Sequence, residues 1–379
     1  MRETTTLAAP ALDWAAIAGA LGRRFAERAA AHDAEDRFVE RNYEDLRAHR
    51  VFAAGVPAEL GGGGASGAEL AEMLRMLARS CSSTALALAM HTHLVAAAAW
   101  RWRRQDRTVE GLLRRVAEAQ TVLVTSGGND WLAGSGRAEP VAGGFRVSGR
   151  KAFVSGAPAG QLLLTTAVLD EPGGEATVLH LGVPIDSPGV RVLETWRALG
   201  MRGTGSHEVA LDGVFVPAAA VSARRPAGRW SPFMHLVAMV ALPLIYAVYL
   251  GIAEAARDLG VAHAAKRRGD PDVAILVGEM ETALTAARLA QASLVEIAGT
   301  AEPSPETTSA VSIRRTLVAE GAIHTVEKAM EAAGGRAFLR DAGLERLYRD
   351  VQGARYHPLQ TIPQRRFTGR LALGLDVDR

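Results

Sequence analysis

Apolar residues recur at three- and four-residue spacing from position 12 to about position 119, and this period predicts α-helices. The segment GVPAELGGGGASG, residues 55–67, interrupts the pattern, and its glycines predict a loop. From about 121 to 221 the pattern changes to short apolar runs separated by turn residues: TVLVTS, GFRVSGRKAFVSG, QLLLTTAVL, TVLHLGVPI, VRVLETW and HEVALDGVFVP. These runs predict an antiparallel β-domain.

The helical period then returns in long segments over 236–266, 273–299 and 307–333, followed by a turn and a helix from Leu344. The predicted fold class is therefore mainly α with an inserted β-domain. Its parts are a helical domain over 1–120, a β-domain over 121–222 and a helical domain over 223–379. A sheet between two helical blocks leaves clefts at both junctions, where a flat cofactor can lie.

Composition and charge narrow the classes of partner. The formal charge is only +2, and the arginines are spread among acids, which argues against nucleic acid. Cys81 is the only cysteine, so no internal disulfide can form and a cytoplasmic protein is expected. The N-terminus has no signal-peptide pattern. The run FMHLVAMVALPLIYAVYLGIAEAA contains His235, Pro243 and Glu254, and we interpret it as a buried core helix rather than a membrane span.

Common cofactor and metal motifs are missing from the sequence. No GxGxxG follows a strand and opens a helix, and neither a P-loop nor HExxH or CxxC spacing occurs. The HTH segment contains His91 and His93, but alternate positions on a helix point apart. No metal site is predicted.

Four separated segments resemble the acyl-CoA dehydrogenase superfamily in the same order: GFRVSGRKAFVSGA, WRALGMRGTGSHEVALDGVFVP, VYLGIAEAARD and AMEAAGGRAFLRDAGLERLYRD. The resemblance covers most of the chain. It implies the acyl-CoA dehydrogenase fold, with an N-terminal helical domain, a central β-barrel and a C-terminal four-helix bundle. It also implies a flavin between the β-domain and the C-terminal helices, and a homotetramer or homodimer.

The same resemblance implies particular flavin contacts. Phe153 stands where the family has an aromatic residue against the isoalloxazine ring, and Ser155 where a hydroxyl bonds the ring near its reactive nitrogen. Donors and acceptors at the ring nitrogens tune the chemistry of a flavin. The full set of residues implied to bind the cofactor is Thr125, Ser126, Phe153, Ser155, Gly334 and Gly335. The glycine pair matches backbone that often contacts the cofactor of a neighbouring subunit.

The chain departs from the dehydrogenases at both places where they carry a catalytic carboxylate. Pro358 aligns with the glutamate of their C-terminal loop, and Ala241 aligns with the alternative glutamate. An α-C–H is too weak an acid to ionise without a positioned base. Glu254 lies several helical turns from Ala241, so a packing role is expected. The segment AHAAKRRGDPDVAILVGEM lacks the adenylate-binding residues of the family, so the flavin can be FMN as well as FAD.

These departures resemble the flavin-dependent monooxygenases that share the fold, the branch of dibenzothiophene monooxygenase and the aminosugar oxygenases. In that branch a histidine precedes a proline in the C-terminal loop, as His357 does in ARYHPL. A second histidine precedes a leucine, as His93 does in MHTHLV. The resemblance implies a monooxygenase that uses reduced flavin and O2 through a C4a-(hydro)peroxide and receives its flavin from a separate reductase.

The catalytic candidates are accordingly His357, His93 and Ser155, with His91 as the substitute for His93 if the helix phase differs. An imidazole can hold an oxygen and supply a proton near neutral pH. The alternative for His357 is a bond to a backbone carbonyl in a tight loop, and for His93 a packed helix position. Tyr246 and Tyr249 are interpreted as core aromatics, with pocket donors as the alternative.

Two other functions remain open on the sequence. One is an acyl-CoA or acyl-carrier dehydrogenase with a displaced base, which would pass electrons to an electron-transfer flavoprotein. The other is a non-catalytic scaffold, against which the retained Ser155 and His357 argue. The substrate is expected to be a small molecule, and whether carbon, nitrogen or sulfur is oxygenated stays open.

Overall fold

A computed structural model of the chain describes residues 12–126, 130, 132–170 and 174–378. The N-terminal part is helical, as predicted. Its helices are α1 (Trp14–Ala34), α2 (Glu40–Ala48), α3 (Gly67–Ala78), α4 (Ser82–Arg103) and α5 (Glu110–Ala119). Helix α3 starts at a capping box in which Ser66 and Glu69 bond each other's backbone N–H groups, so the glycine-rich loop ends at Ser66.

The central part forms one eight-stranded sheet. Its strands are β1 (Leu123–Thr125), β2 (Arg137–Val141), β3 (Gly144–Val154), β4 (Leu162–Leu169), β5 (Thr177–Pro184), β6 (Val190–Leu193), β7 (His207–Pro217) and β8 (Val221–Pro226). The order is β6-β7-β3-β2-β4-β5-β8, with β1 beside β4. Among the described strands no ladder joins β6 to β8.

The structure of the β-domain differs from the sequence pattern in three details. Strand β4 pairs with β1 and β2 in parallel, so the sheet is mixed rather than antiparallel. Strands β2 and β8, with the sequences RAEPV and VSARRP, were not predicted because charges and proline break their apolar alternation. The expected boundary at 222 falls inside β8, which continues to Pro226.

The C-terminal part consists of α6 (Pro232–Ala264), α7 (Pro271–Thr300), α8 (Pro305–Ala333), α9 (Leu344–Val351) and α10 (Thr361–Ala372). Helix α6 packs against α3, α4, α7 and α8 and is the centre of the molecule. Its internal Pro243 cannot donate a helical hydrogen bond, and the Pro243 carbonyl accepts one from Gln291 Nε2 on α7 at 2.8 Å.

Within the described residues, the helix over Pro232–Arg267 alone is long and apolar enough to cross a membrane. Of its most apolar 18-residue window, 89% is buried inside the protein. The core helices of globular proteins have the same composition, and this burial agrees with the prediction of a core helix.

Asp350, at the end of α9, joins all three parts of the chain. Its carboxylate is 2% exposed and accepts hydrogen bonds from Ser82 Oγ at the start of α4 and from the Met201 N–H before β7, both at 2.5 Å. Gly200 permits this contact, since a Cβ there would lie 2.3 Å from the Arg349 carbonyl oxygen. The loop after α9 is therefore held against both the N-terminal helices and the β-sheet.

Candidate active site

His357 lies in the loop between α9 and α10, and its backbone and its ring are held by different groups. The buried Arg315 of α8 donates to the His357 carbonyl oxygen at 2.8 Å, while its guanidinium lies 4.9 Å from the ring centre of Tyr246. The ring nitrogen Nε2 is 2.6 Å from the hydroxyl of Tyr249 on α6. The imidazole is thus bonded to a side chain, whereas the sequence suggested a backbone carbonyl as its alternative partner.

The surroundings of His357 keep the ring uncharged. Burial lowers its pKa to about 3, and the positive charge of Arg315 and a protonated His93 act in the same direction. Burial also raises the pKa of Tyr249 well above its usual value. At neutral pH the contact therefore joins a neutral phenol to a neutral imidazole. The charge of His93 is among the causes of the lowered pKa, so the two rings interact electrostatically.

The two histidines of α4 differ in the groups they contact. His91 Nε2 lies 2.8 Å from the Phe52 carbonyl, and the Leu123 N–H donates to His91 Nδ1 at 3.0 Å. Both ring nitrogens are engaged, so His91 ties α4 to β1 and has none left for a ligand. Among the described residues, His93 has a hydrogen-bond partner at Nδ1 alone, which lies 3.1 Å from the Ala89 carbonyl. Burial lowers the pKa of each ring to about 4.

At the end of β3 the chain exposes an aromatic ring and a hydroxyl. Phe153 is 56% exposed, has a φ of 57°, and makes an edge-to-face contact with Trp196. Ser155 Oγ lies 2.8 Å from Ser206 Oγ, which lies 2.7 Å from Thr204 Oγ1. Each hydroxyl can donate to the next one along this run, and Thr204 Oγ1 donates at its end to the Met201 carbonyl, 2.9 Å away. The Ser155 oxygen would then keep lone pairs for an outside donor.

Strand β1 brings Thr125 and Ser126 close to this turn. A Cβ at Gly156 would lie 3.8 Å from Val124 Cγ1, so β1 and the turn after β3 are in contact. Thr125 is partly buried, and its hydroxyl makes a long contact of 3.5 Å with the Ser126 carbonyl. Ser126 bonds the Asp130 carboxylate and lies 2.9 Å from Thr165 Oγ1. Residues 127–129 of the TSGGND loop lie outside the described residues.

A buried lysine fixes this region, and the sequence reasoning missed it. Lys151 is fully buried and donates from Nζ to Asp130 at 3.1 Å and to the Ser135 and Thr166 carbonyls at 2.6 Å each. Burial lowers its pKa, while Asp130 opposes that shift. A lysine in the strand run GRKAFVSG was the only signal, and a half-exposed strand would carry one equally well. The pair anchors β3 two residues before Phe153.

The glycine pair after α8 is not joined to these residues within one chain. Gly334 has a φ of 68°, and a Cβ there would lie 3.4 Å from Arg267 Nη1. A Cβ at Gly335 would meet nothing within 4 Å. In the described part of the chain no hydrogen bond or ring contact links either glycine to Phe153 or His357.

Glu254, the acidic residue of α6 considered from the sequence, is held by three arginines. Its side chain is 3% exposed and contacts Arg75, Arg79 at 3.1 Å and Arg288 at 3.0 Å. These contacts join α3, α6 and α7 beside an open cleft of about 640 Å³. Glu254 therefore has the packing role expected of it. Around the described residues, no group of three or more His, Cys, Asp or Glu side chains could hold a metal.

Comparison with family models and with known proteins places this chain in the acyl-CoA dehydrogenase family. Residues 15–108 match the acyl-CoA dehydrogenase N-terminal domain, residues 125–214 the middle domain and residues 244–361 the C-terminal domain. The L-evernosamine nitrososynthase of a Micromonospora species is 31% identical, over 96% of this chain and 90% of its own length.

Solved structures agree with this match. KijD3, in complex with FMN and dTDP-3-amino-2,3,6-trideoxy-4-keto-3-methyl-D-glucose, is 28% identical and superposes with a TM-score of 0.87, over 100% of this chain and 98% of that one. The dibenzothiophene monooxygenase TdsC of Paenibacillus sp. A11-2 is 20% identical, over 97% of this chain and 99% of its own, with a TM-score of 0.84, which shows a shared fold.

Proposed function

Because this chain belongs to the acyl-CoA dehydrogenase family and is a flavin-dependent oxidoreductase, we propose that it is a monooxygenase that uses reduced flavin and O2 to oxygenate an amine nitrogen. The choice of nitrogen rests on two relatives, one named as a nitrososynthase and one in complex with FMN and an amino sugar nucleotide.

The placement of His357, with its ring against the Tyr249 hydroxyl and its carbonyl bonded to Arg315, is the observation that carries the proposal. Removal of an α-proton from an acyl thioester needs a strong, positioned base. An imidazole whose pKa is about 3 is a weak base, but its N–H can donate a hydrogen bond at any physiological pH. Two carboxylates near the C-terminal helices are already engaged, since Glu254 contacts arginines and Asp350 accepts two hydrogen bonds. This arrangement favours oxygenation over dehydrogenation.

The end of β3 fits a flavin ring. The exposed Phe153 offers an apolar face, and the Ser155 oxygen offers lone pairs to a ring nitrogen. Thr125 and Ser126 would contact the ring from β1, and Gly334 and Gly335 would approach the flavin of a neighbouring subunit. When bound, reduced flavin supplies the electrons that activate O2. The chain's own groups orient the substrate, hold protons at His357 and His93, and exclude water.

This function would require two kinds of protein partner. A separate reductase would supply reduced flavin, and copies of this chain would form a homotetramer or homodimer in the cytoplasm. Apolar side chains on the outer faces of α7 and α8 support assembly, since Leu289 is 68% and Leu317 50% exposed. Sedimentation of the purified protein measures the number of subunits, and a monomer would contradict this part of the proposal.

The test uses the purified chain with a generic flavin reductase, NADH, FMN and ¹⁸O2. Amines, including dTDP-linked amino sugars, are offered beside a thioether and an indole, and mass spectrometry measures ¹⁸O in each product. We expect ¹⁸O on the amine and a loss of labelled product of about 100-fold or more in His357→Ala. The Glu72→Gln variant, altered in a half-exposed carboxylate on α3, is the matched control and should keep the activity.

Two results would reject this function. Hydrogen peroxide as the sole product with every substrate class would exclude oxygenation of these compounds. Anaerobic reduction of the bound flavin by an acyl-CoA would establish the dehydrogenase alternative, in which an unassigned carboxylate acts as the base.

A further inference from the structure

We infer that Tyr249 is a positioning residue that holds His357 as the Nδ1–H tautomer, so that the unbonded ring nitrogen of His357 is a donor while that of His93 is an acceptor. The catalytic meaning of this assignment rests on the proposed oxygenation. The tautomers themselves rest on hydrogen bonds within the chain and on the rings being neutral.

The Tyr249 hydroxyl sets the direction of its hydrogen bond. It is fully buried, and within the described residues its one hydrogen-bond partner is His357 Nε2, at 2.6 Å. A buried O–H without an acceptor is costly, so the phenol donates and Nε2 accepts. A neutral imidazole carries one proton, which must then lie on Nδ1. Among the described groups, Nδ1 has no hydrogen-bond partner.

The loop is shaped to admit this hydroxyl. A Cβ at Gly353 would lie 2.8 Å from the Tyr249 oxygen, closer than such atoms approach. The neighbouring Tyr246 hydroxyl does not compete for the ring, because it donates to the Ala354 carbonyl at 2.8 Å. Two tyrosines one helical turn apart therefore have separate roles, and Tyr246 holds the backbone while Tyr249 holds the imidazole.

In His93 the unbonded ring nitrogen is Nε2, whereas in His357 it is Nδ1. The Ala89 carbonyl can only accept, so His93 Nδ1 carries the proton and Nε2 keeps a lone pair. His91 supplies an internal comparison. The Leu123 N–H can only donate, so His91 Nδ1 is unprotonated and Nε2–H donates to the Phe52 carbonyl. The three rings should therefore show two different tautomers for fixed structural reasons.

His357 thus offers a hydrogen-bond donor and His93 an acceptor. Such a pair suits a reacting group that both accepts and donates hydrogen bonds, such as a hydroxyl or an amine. Tyr249 does not supply the proton, since burial makes its phenolate unfavourable. Its role is to exclude the Nε2–H tautomer, in which the unbonded nitrogen of His357 would be a second acceptor. Loss of Tyr249 should therefore uncouple O2 use from substrate oxygenation without removing His357.

The test is a long-range ¹H–¹⁵N correlation spectrum of the full chain with ¹⁵N-labelled histidine at neutral pH, with His357→Gln used for assignment. We expect a protonated Nδ1 in His357 and a protonated Nε2 in His91. In Tyr249→Phe the His357 signals should move toward a mixture of tautomers, and product per O2 consumed should fall by roughly tenfold. Tyr246→Phe is the matched control and should leave the His357 tautomer unchanged.

Three outcomes separate the possibilities. A protonated Nε2 in wild-type His357, or an unchanged spectrum in Tyr249→Phe, overturns the inference. The expected tautomers with no ¹⁸O in any product would support the assignment while rejecting the proposed function. Should Tyr249→Phe fail to fold, Gly353→Ala crowds the same hydroxyl from the loop, and an unchanged tautomer there also overturns the inference.

Discussion

His91 and His93 lie two positions apart on α4, and replacing each of them should change the stability of the protein by a different amount. His91→Ala leaves the Phe52 carbonyl and the Leu123 N–H without their partner and opens a cavity, so the free energy of unfolding should fall by about 2–4 kcal/mol. His93→Ala removes one bond to a helical carbonyl and should cost about half of that. Urea unfolding measures both losses, and equal losses would contradict the assignment of His91 as structural.

At the scale of helices, Glu254 should matter for the packing of α3, α6 and α7. Glu254→Ala removes the carboxylate that Arg75, Arg79 and Arg288 share and leaves their like charges together beside the open cleft, so we expect a loss of roughly 2–4 kcal/mol. Glu72→Ala, at a side chain that is 41% exposed, should cost less than about 1 kcal/mol. Thermal unfolding of the two variants compares them. A Glu254→Ala variant that kept its stability but lost activity would instead indicate that Glu254 is a catalytic carboxylate.

The crossing of α3 and α6 depends on a glycine. A Cβ at Gly251 would lie 2.3 Å from the Arg75 carbonyl oxygen, a backbone atom that cannot turn away. Gly251→Ala should therefore separate the helices and destabilise the protein by about 1–3 kcal/mol. Gly278→Ala on α7, where a Cβ would meet nothing within 4 Å, should stabilise by about 0.5–1 kcal/mol. Urea midpoints of the two variants should therefore move in opposite directions.

Over the whole molecule, the sequence predicted element types well and side-chain contacts poorly. Period alone placed α6, α7 and α8 within four residues of their observed starts, because long amphipathic or apolar runs have few alternatives. Strand β8 was missed since arginines and proline hide its pairing with β5. His357 was identified through a resemblance to a known family. Its bond to Tyr249 joins residues 108 positions apart, and no local pattern encodes such a contact.

Histidines shielded from solvent should make the stability of the whole protein depend on pH. Burial lowers the pKa of His91 and His93 to about 4 and of His357 to about 3, whereas an unfolded histidine titrates near 6.5. As pH falls from about 6.5 toward these values, the unfolded chain binds more protons than the folded one, so the free energy of unfolding falls. Each ring should cost about 2 kcal/mol at pH 5.

Asp350 opposes part of this loss at the acid end. Burial raises its pKa, so the folded carboxyl takes up a proton before the unfolded one does, which adds stability as pH falls. The net prediction is a lower urea midpoint at pH 5 than at pH 7.5. His93→Gln removes one of these titrating rings and should reduce the difference, and His49→Gln, at an exposed position, is the control. Equal midpoints at both pH values in the wild-type protein would contradict this pH dependence.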